Sequence, residues 1–183
     1  FRFTELLPFV QDTAVTLHEG DTPLIPAPRL ADELGVATVY IKDEGRNPSG
    51  TLKDRGQALA MTAAVQHGAE DVALASTGNA GQSAAAYAAR AGLDPHVFLP
   101  SRSSFINKAM VNVHGGEMKV VEGRMGEANA AYESAMADNE EWYSLQTFVT
   151  PYRHEANKTI YYEIAEQLNW VTPDHIIYPT GEG

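Results

Sequence analysis

The chain has 183 residues, 44% of them apolar, which is enough for one ordinary domain with a substantial core. With 24 Asp and Glu against 13 Lys and Arg, its formal net charge of −11 speaks against a nucleic-acid binder, which needs a basic face. There is no cysteine, so disulfides and thiolate metal sites are excluded, and the six histidines lack H-E-x-x-H or comparable ligand spacing.

Short apolar, β-branched runs alternate with longer helical stretches, the pattern of an α/β domain with a mostly parallel sheet. A first helix is expected over 28–34, closed by Gly35, and a strand over "ATVYIK" (37–42). Helix-start signals are dense in "NPSGTLKDRG" (47–56). Pro48 and Gly50 break the preceding chain, Thr51 can cap, and Asp54 completes an S/T-x-x-D/E pattern, opening a helix over 51–67 that stops before Gly68. There follow strand "VALAS" (72–76), a helix over 79–91 ended by Gly92, strand "HVFLP" (96–100), a helix over 104–113 with Gly115 beyond it, strand "MKVVE" (118–122) and a helix over 125–137. The acidic cluster "MADNEEW" (136–142) reads as a solvated turn. A helix over 153–169 and a last strand, "HIIYP" (175–179), complete the pattern, with no repeat or linker between elements.

Ligands of open parallel sheets bind at the carboxyl ends of the strands, and three loops there carry unusual residues. Lys53 falls in the first turn of its helix, where the dipole disfavours positive charge and acidic residues are the usual occupants. The neutral amine is favoured there, and that is the form that adds to an aldehyde. The ordinary alternative is a pairing of Lys53 with Asp54 or another surface acid. In "STGNAG" (76–81) Gly78 and Gly81 allow close backbone approach and Asn79 offers an amide donor, although all three are also common turn residues. The absence of G-x-G-x-x-G counts against a nicotinamide enzyme. In "PTGEG" (179–183), consecutive N–H groups can form a nest for a phosphate. A lysine, an amide and a phosphate cradle, each on a loop after a strand, suit an aldehyde-bearing phosphorylated cofactor, of which pyridoxal phosphate (PLP) is the obvious example.

The sequence resembles the fold-type II PLP enzymes, with a tryptophan synthase β-like architecture, and within them the threonine synthase family. The resemblance is carried by "TPLIPAPRLADELG" (22–35), "VYIKDEGRNPSGTLKDRG" (39–56), "ASTGNAG" (75–81), "PYRHEANKTIYYEIAEQLNW" (151–170) and "YPTGEG" (178–183). It implies that Lys53 forms the Schiff base with the cofactor, that Asn79 contacts its ring oxygen, and that Thr180, Gly181, Glu182 and Gly183 cradle its phosphate. It implies conversion of O-phosphohomoserine and water to threonine and phosphate, with Arg153 and Lys108 on the substrate phosphate and Ser76 and Thr77 on its carboxylate. It further implies that residues 1–183 are the N-terminal part of a longer enzyme, a homodimer when full length, with a smaller-domain segment around 70–150 and the rest of the cofactor site beyond 183.

The sequence departs from that family at three places. A hydroxyl residue commonly follows the loop asparagine, where this chain has Ala80, and an Asn-Ser pair commonly stands where it has Thr147 and Phe148. A PLP-dependent serine/threonine dehydratase, a β-replacement enzyme and a non-catalytic paralogue therefore stay open as alternatives. No apolar run is long enough to span a membrane and no leader pattern is visible, so a cytoplasmic protein with no membrane partner is expected. An acid-rich surface with five Lys to eight Arg suits high-salt cytoplasm, as in a halophile.

Overall fold

Four strands, β3 (Asp71–Ala75), β4 (Asp94–Pro100), β5 (Glu117–Val121) and β6 (Tyr143–Ser144), line up in the order β5-β4-β3-β6, every neighbouring pair parallel. They belong to a computed structural model that describes residues 2–8 and 14–180. Successive strand residues point to opposite faces. Val72, Leu74, Val97 and Leu99 therefore enter one core with α2 (Lys53–Gln66) and α3 (Asn79–Ala91). Ala73, Ala75 and Phe98 enter another, against Tyr132 of α5 (Met125–Asp138). Helices thus cover both faces, as the alternating pattern requires.

The seam between α2 and α3 is built from alanines: Ala58, Ala60 and Ala64 on one helix and Ala84, Ala85 and Ala88 on the other have no solvent exposure. Small side chains let the two helices lie close, which brings their N-terminal turns to the same edge of the sheet. α4 (Phe105–Val113) contributes Val111 to the same core. The glycines expected to close helices do so, with φ of +66° at Gly35, +72° at Gly68, +74° at Gly92 and +80° at Gly115.

Several expectations need correction. Leu24–Pro26 forms a short strand, β1, that pairs antiparallel with β2 (Tyr40–Lys42), so the segment 37–42 is extended only at its end. Between them lies α1 (Pro28–Leu34). The helix over 153–169 is divided into α6 (Tyr152–Asn157) and α7 (Thr159–Gln167), because the Lys158 N–H bonds Glu155 in a tightened turn. In the acidic cluster 136–142, α5 runs on to Asp138 and Trp142 stacks on His96 at 3.8 Å between ring centroids, so only its middle is a turn. Residues 175–179 form no strand. Among the described residues no element pairs with them, and Ile177 is 96% exposed, so the apolar run has neither ladder partner nor core face.

A buried ionic cluster fixes the start of α2 against the rest. The Arg55 guanidinium donates to Glu163 at 2.6 and 2.8 Å, to Glu44 at 2.7 and 2.8 Å, and to Thr22 and Thr159. The Lys42 ammonium adds a bond of 2.8 Å to Glu163. Burial alone would raise the Glu163 pKa, but the bonds from Arg55 and Lys42 outweigh it and hold the carboxyl at about 2. One carboxylate of α7 thereby links β2 to the helix that carries Lys53.

Candidate active site

The carboxyl end of β3 opens into a cavity of about 360 Å³, and the residues around it come from widely separated parts of the chain. Lys53 and Gly56 come from the first turn of α2, Ser76, Thr77 and Gly78 from the β3–α3 loop, and Asn79 and Ala80 from the first turn of α3. Gln146 and Thr147 come from the segment after β6, with Arg153, His154 and Asn157 from α6. Tyr178 and Thr180 close one side.

Lys53 is the first residue of α2 and is half-buried. The capping arrangement read from the sequence is not formed: the Thr51 hydroxyl accepts from the Lys53 N–H at 3.3 Å, and Asp54 turns instead to Ser49. Asn79 is the first residue of α3, exposed at the cavity. Ser76 is buried, and its hydroxyl accepts from both Gly78 N–H and Gly81 N–H at 3.1 Å. A hydroxyl has two acceptor sites, so Ser76 shapes the loop from within while the exposed Thr77 faces the cavity. The loop glycines answer to packing. A Cβ on Gly81 would lie 2.7 Å from Val97 Cγ1, and one on Gly78 would lie 2.3 Å from the Asn107 amide nitrogen.

Arg153 is buried, and its Nη1 donates to the Leu145 carbonyl at 3.0 Å and to Thr147 Oγ1 at 2.7 Å. Thr147, one of the departures from the family pattern, thus orients the guanidinium. Phe148 beside it has φ +66° and stacks on His154 at 5.1 Å. Lys108 is not brought to the cavity; its ammonium donates to the Ser101 carbonyl at 2.6 Å. Thr180 lines the cavity, whereas Gly181, Glu182 and Gly183 lie outside the described residues.

Sequence reasoning missed Gln146, His154, Asn157 and Tyr178. The Gln146 amide oxygen accepts from Ala75 N–H at 2.9 Å, holding the end of β3. Asn157 stands four residues after Arg153 on α6, a spacing that puts both on one helix face and could have signalled it. Its amide oxygen is buried without a hydrogen-bond partner. Burial pushes the Tyr178 hydroxyl pKa up, helped by Tyr161 and Glu44.

An amine and an amide at the first turns of two packed helices line one cavity with a buried guanidinium, side chains of the kind that an α/β enzyme uses on an anionic carbonyl compound. The chain belongs to the family of pyridoxal-phosphate dependent enzymes, whose family model matches residues 15–183. It is 39% identical to the threonine synthase of Methanosarcina acetivorans, over 99% of this chain and 44% of that protein. It is 40% identical to the threonine synthase of Mycobacterium leprae, over 98% of this chain and 49% of that protein. The chain spans about half the length of these relatives. In fold it is similar to the Escherichia coli diaminopropionate ammonia lyase in its apo form, with a TM-score of 0.78 and 19% identity over 87% of this chain and 51% of that one. It is likewise similar to threonine deaminase isoform 2 of Solanum lycopersicum, with a TM-score of 0.72 and 25% identity over 80% and 42% of the two chains. The architecture is that of the fold-type II PLP enzymes.

The residues present fit the family's cofactor. Lys53 offers an amine, Asn79 an amide donor, and the unpartnered Asn157 oxygen lies at the wall of a cavity that also holds Arg153. A buried acceptor without a donor is costly, so a ligand bearing N–H or O–H groups is the natural complement.

Proposed function

We propose that the whole enzyme is a threonine synthase, converting O-phosphohomoserine and water to threonine and phosphate, with Lys53 as its catalytic residue. The observation that carries this reading is the meeting of Lys53, Asn79 and Arg153 around one cavity, in a chain 39–40% identical to threonine synthases. When bound, PLP supplies an aldehyde for amine attachment and a ring that withdraws electrons from the adjacent carbon.

The chain's own residues do the rest. Lys53, as a neutral amine, would be the base that takes the proton from Cα and the carrier that returns protons further along the substrate. Asn79 would hold the cofactor, its amide donating to the ring oxygen. Thr77 and the start of α3, where Asn79 and Ala80 open the helix at the cavity, hold the substrate carboxylate. Arg153, oriented by Thr147 and the Leu145 carbonyl, holds the phosphate that leaves. Thr180, together with Gly181, Glu182 and Gly183 after it in the sequence, would cradle the cofactor phosphate.

The second reading is a PLP-dependent dehydratase or β-replacement enzyme. It is favoured by Thr147 and Phe148, where the family commonly has an Asn-Ser pair: the Thr147 hydroxyl accepts from Arg153, and the Phe148 ring stacks on His154, which lines the cavity. Release of phosphate with formation of threonine from O-phosphohomoserine by the whole enzyme tests the first reading. Ammonia and keto acid from serine or threonine, with no turnover of O-phosphohomoserine, would replace it with the second. The formal charge of −11 supports work in a salt-rich cytoplasm, and no described helix is long and apolar enough to cross a membrane.

A further inference from the structure

Asp54 follows Lys53 in the first turn of α2 and is fully buried. Every donor recorded on its carboxylate is uncharged: the Ser49 N–H at 2.6 Å on one oxygen, and the hydroxyls of Ser49 and Ser83, each at 2.5 Å, on the other. A buried carboxylate is tolerated only where such donors are held in place, so the groups that satisfy it are bound to it in turn.

Those groups belong to two different structural units. Ser49 lies in the loop before α2, and Ser83 lies in α3, four residues beyond Asn79 and on the same helix face. Two further bonds run the same way, from the Gln82 amide to the Ser49 carbonyl at 2.7 Å and from the Gln57 amide to the Ala80 carbonyl at 3.3 Å. The alanine seam lets the helices approach but is non-directional; these polar bonds fix the register of one first turn against the other.

We propose that Asp54 is a positioning residue that locks the Lys53 turn of α2 to the Asn79 turn of α3, so that the amine and the amide reach one cofactor together. The inference rests on the reading of Lys53 and Asn79 as cofactor ligands. It does not depend on which amino acid the enzyme converts.

The test is a double-mutant cycle on the PLP-loaded whole enzyme, read as the rate at which the visible cofactor band is lost into excess buffer, with thermal midpoints measured in parallel. Asp54→Asn and Ser83→Ala each accelerate cofactor loss, by about tenfold and about threefold, because a misplaced Asn79 amide no longer holds the cofactor beside Lys53. In an Asn79→Ala background the same substitutions add less than about twofold, since the group they position is gone. Multiplicative effects in the two backgrounds would overturn the proposal and leave Asp54 as a support of the fold alone. Should Asp54→Asn fail to fold, the Ser83→Ala cycle decides by the same criterion. Because the readout is cofactor release, a wild-type enzyme that does not form threonine overturns the substrate reading without touching this result. An Asn79→Ala enzyme that releases cofactor at the wild-type rate overturns the proposal itself.

Discussion

The backbone of Gly56 abuts that of Arg153: a Cβ on Gly56 would lie 3.3 Å from the Arg153 carbonyl oxygen and 3.4 Å from its Cα. The helix bearing Lys53 and the helix bearing Arg153 therefore meet through a position with no side chain, and that contact sets the distance across the cavity.

Gly56→Ala tests the contact. Alanine is the better helix former by roughly 1 kcal/mol, whereas overpacking typically costs about 1–3 kcal/mol. We expect a net loss of stability of about 1 kcal/mol and a raised KM for the phosphorylated substrate, as α6 is pushed outward. A higher thermal midpoint with unchanged kinetics would show that the contact is slack.

Borohydride reduction of the loaded whole enzyme is expected to fix the cofactor to Lys53, and Lys53→Ala should lose both this attachment and turnover. Peptide mapping checks it. A label on Lys42, Lys108, Lys119 or Lys158 would contradict the assignment, and the structure already commits Lys42 to Glu163 and Lys108 to the Ser101 carbonyl.

Replacing Arg153 by Ala should lower kcat/KM for O-phosphohomoserine by the equivalent of about 2–4 kcal/mol, the usual cost of losing a desolvated charged contact. Thr147→Val, which removes the acceptor that orients Arg153, should cost about 1 kcal/mol. Thermal midpoints separate these effects from the lost Leu145 contact. Turnover of serine or threonine that both variants leave untouched would favour the dehydratase reading.

Acid should unlock the cluster around Arg55. The folded-state pKa of Glu163 lies at about 2, below the ordinary value of 4.5, so its contribution is present above that ordinary value and is lost as pH falls toward 2. Stability should fall by about 3 kcal/mol through this window. Glu163→Gln should be less stable than wild type at neutral pH and show a flatter acid dependence, measured by denaturant titration. Parallel acid curves for the two proteins would contradict this account.

The sequence made some of these features legible and hid others, for physical reasons. Short apolar strands and helices closed by glycine follow from local pattern, so the buried β3 and β4, the more exposed β5 and the ends of α1 and α3 fall within about two residues of where they are expected. β1 and β6 are too short for any periodicity to register, and a strand over 175–179 was inferred from composition without the partner that a strand requires. Thr77 and Asn79 reach the cavity because the β3–α3 loop opens at the carboxyl end of the parallel sheet, whereas Lys53, which follows β2 of the separate antiparallel pair, and Arg153 reach it because α2 packs against both α3 and α6. Ser76 could not be separated from Thr77 by type, since only the fold shows its hydroxyl spent on Gly78 and Gly81. Lys108 is close in sequence to Asn107, which touches the Gly78 loop, yet its own side chain turns to Ser101.

Phe148 holds a left-handed backbone, with φ +66°, while its ring lies 69% exposed against His154. That conformation costs a non-glycine residue about 1–3 kcal/mol, and an exposed aromatic recovers little of it through burial. Selection for heat resistance alone would therefore discard this side chain early, in favour of Gly or Asn. Selection under a requirement for the native substrate would retain it if the ring shapes what enters the cavity. Two evolving populations that differ only in that requirement would diverge first at position 148.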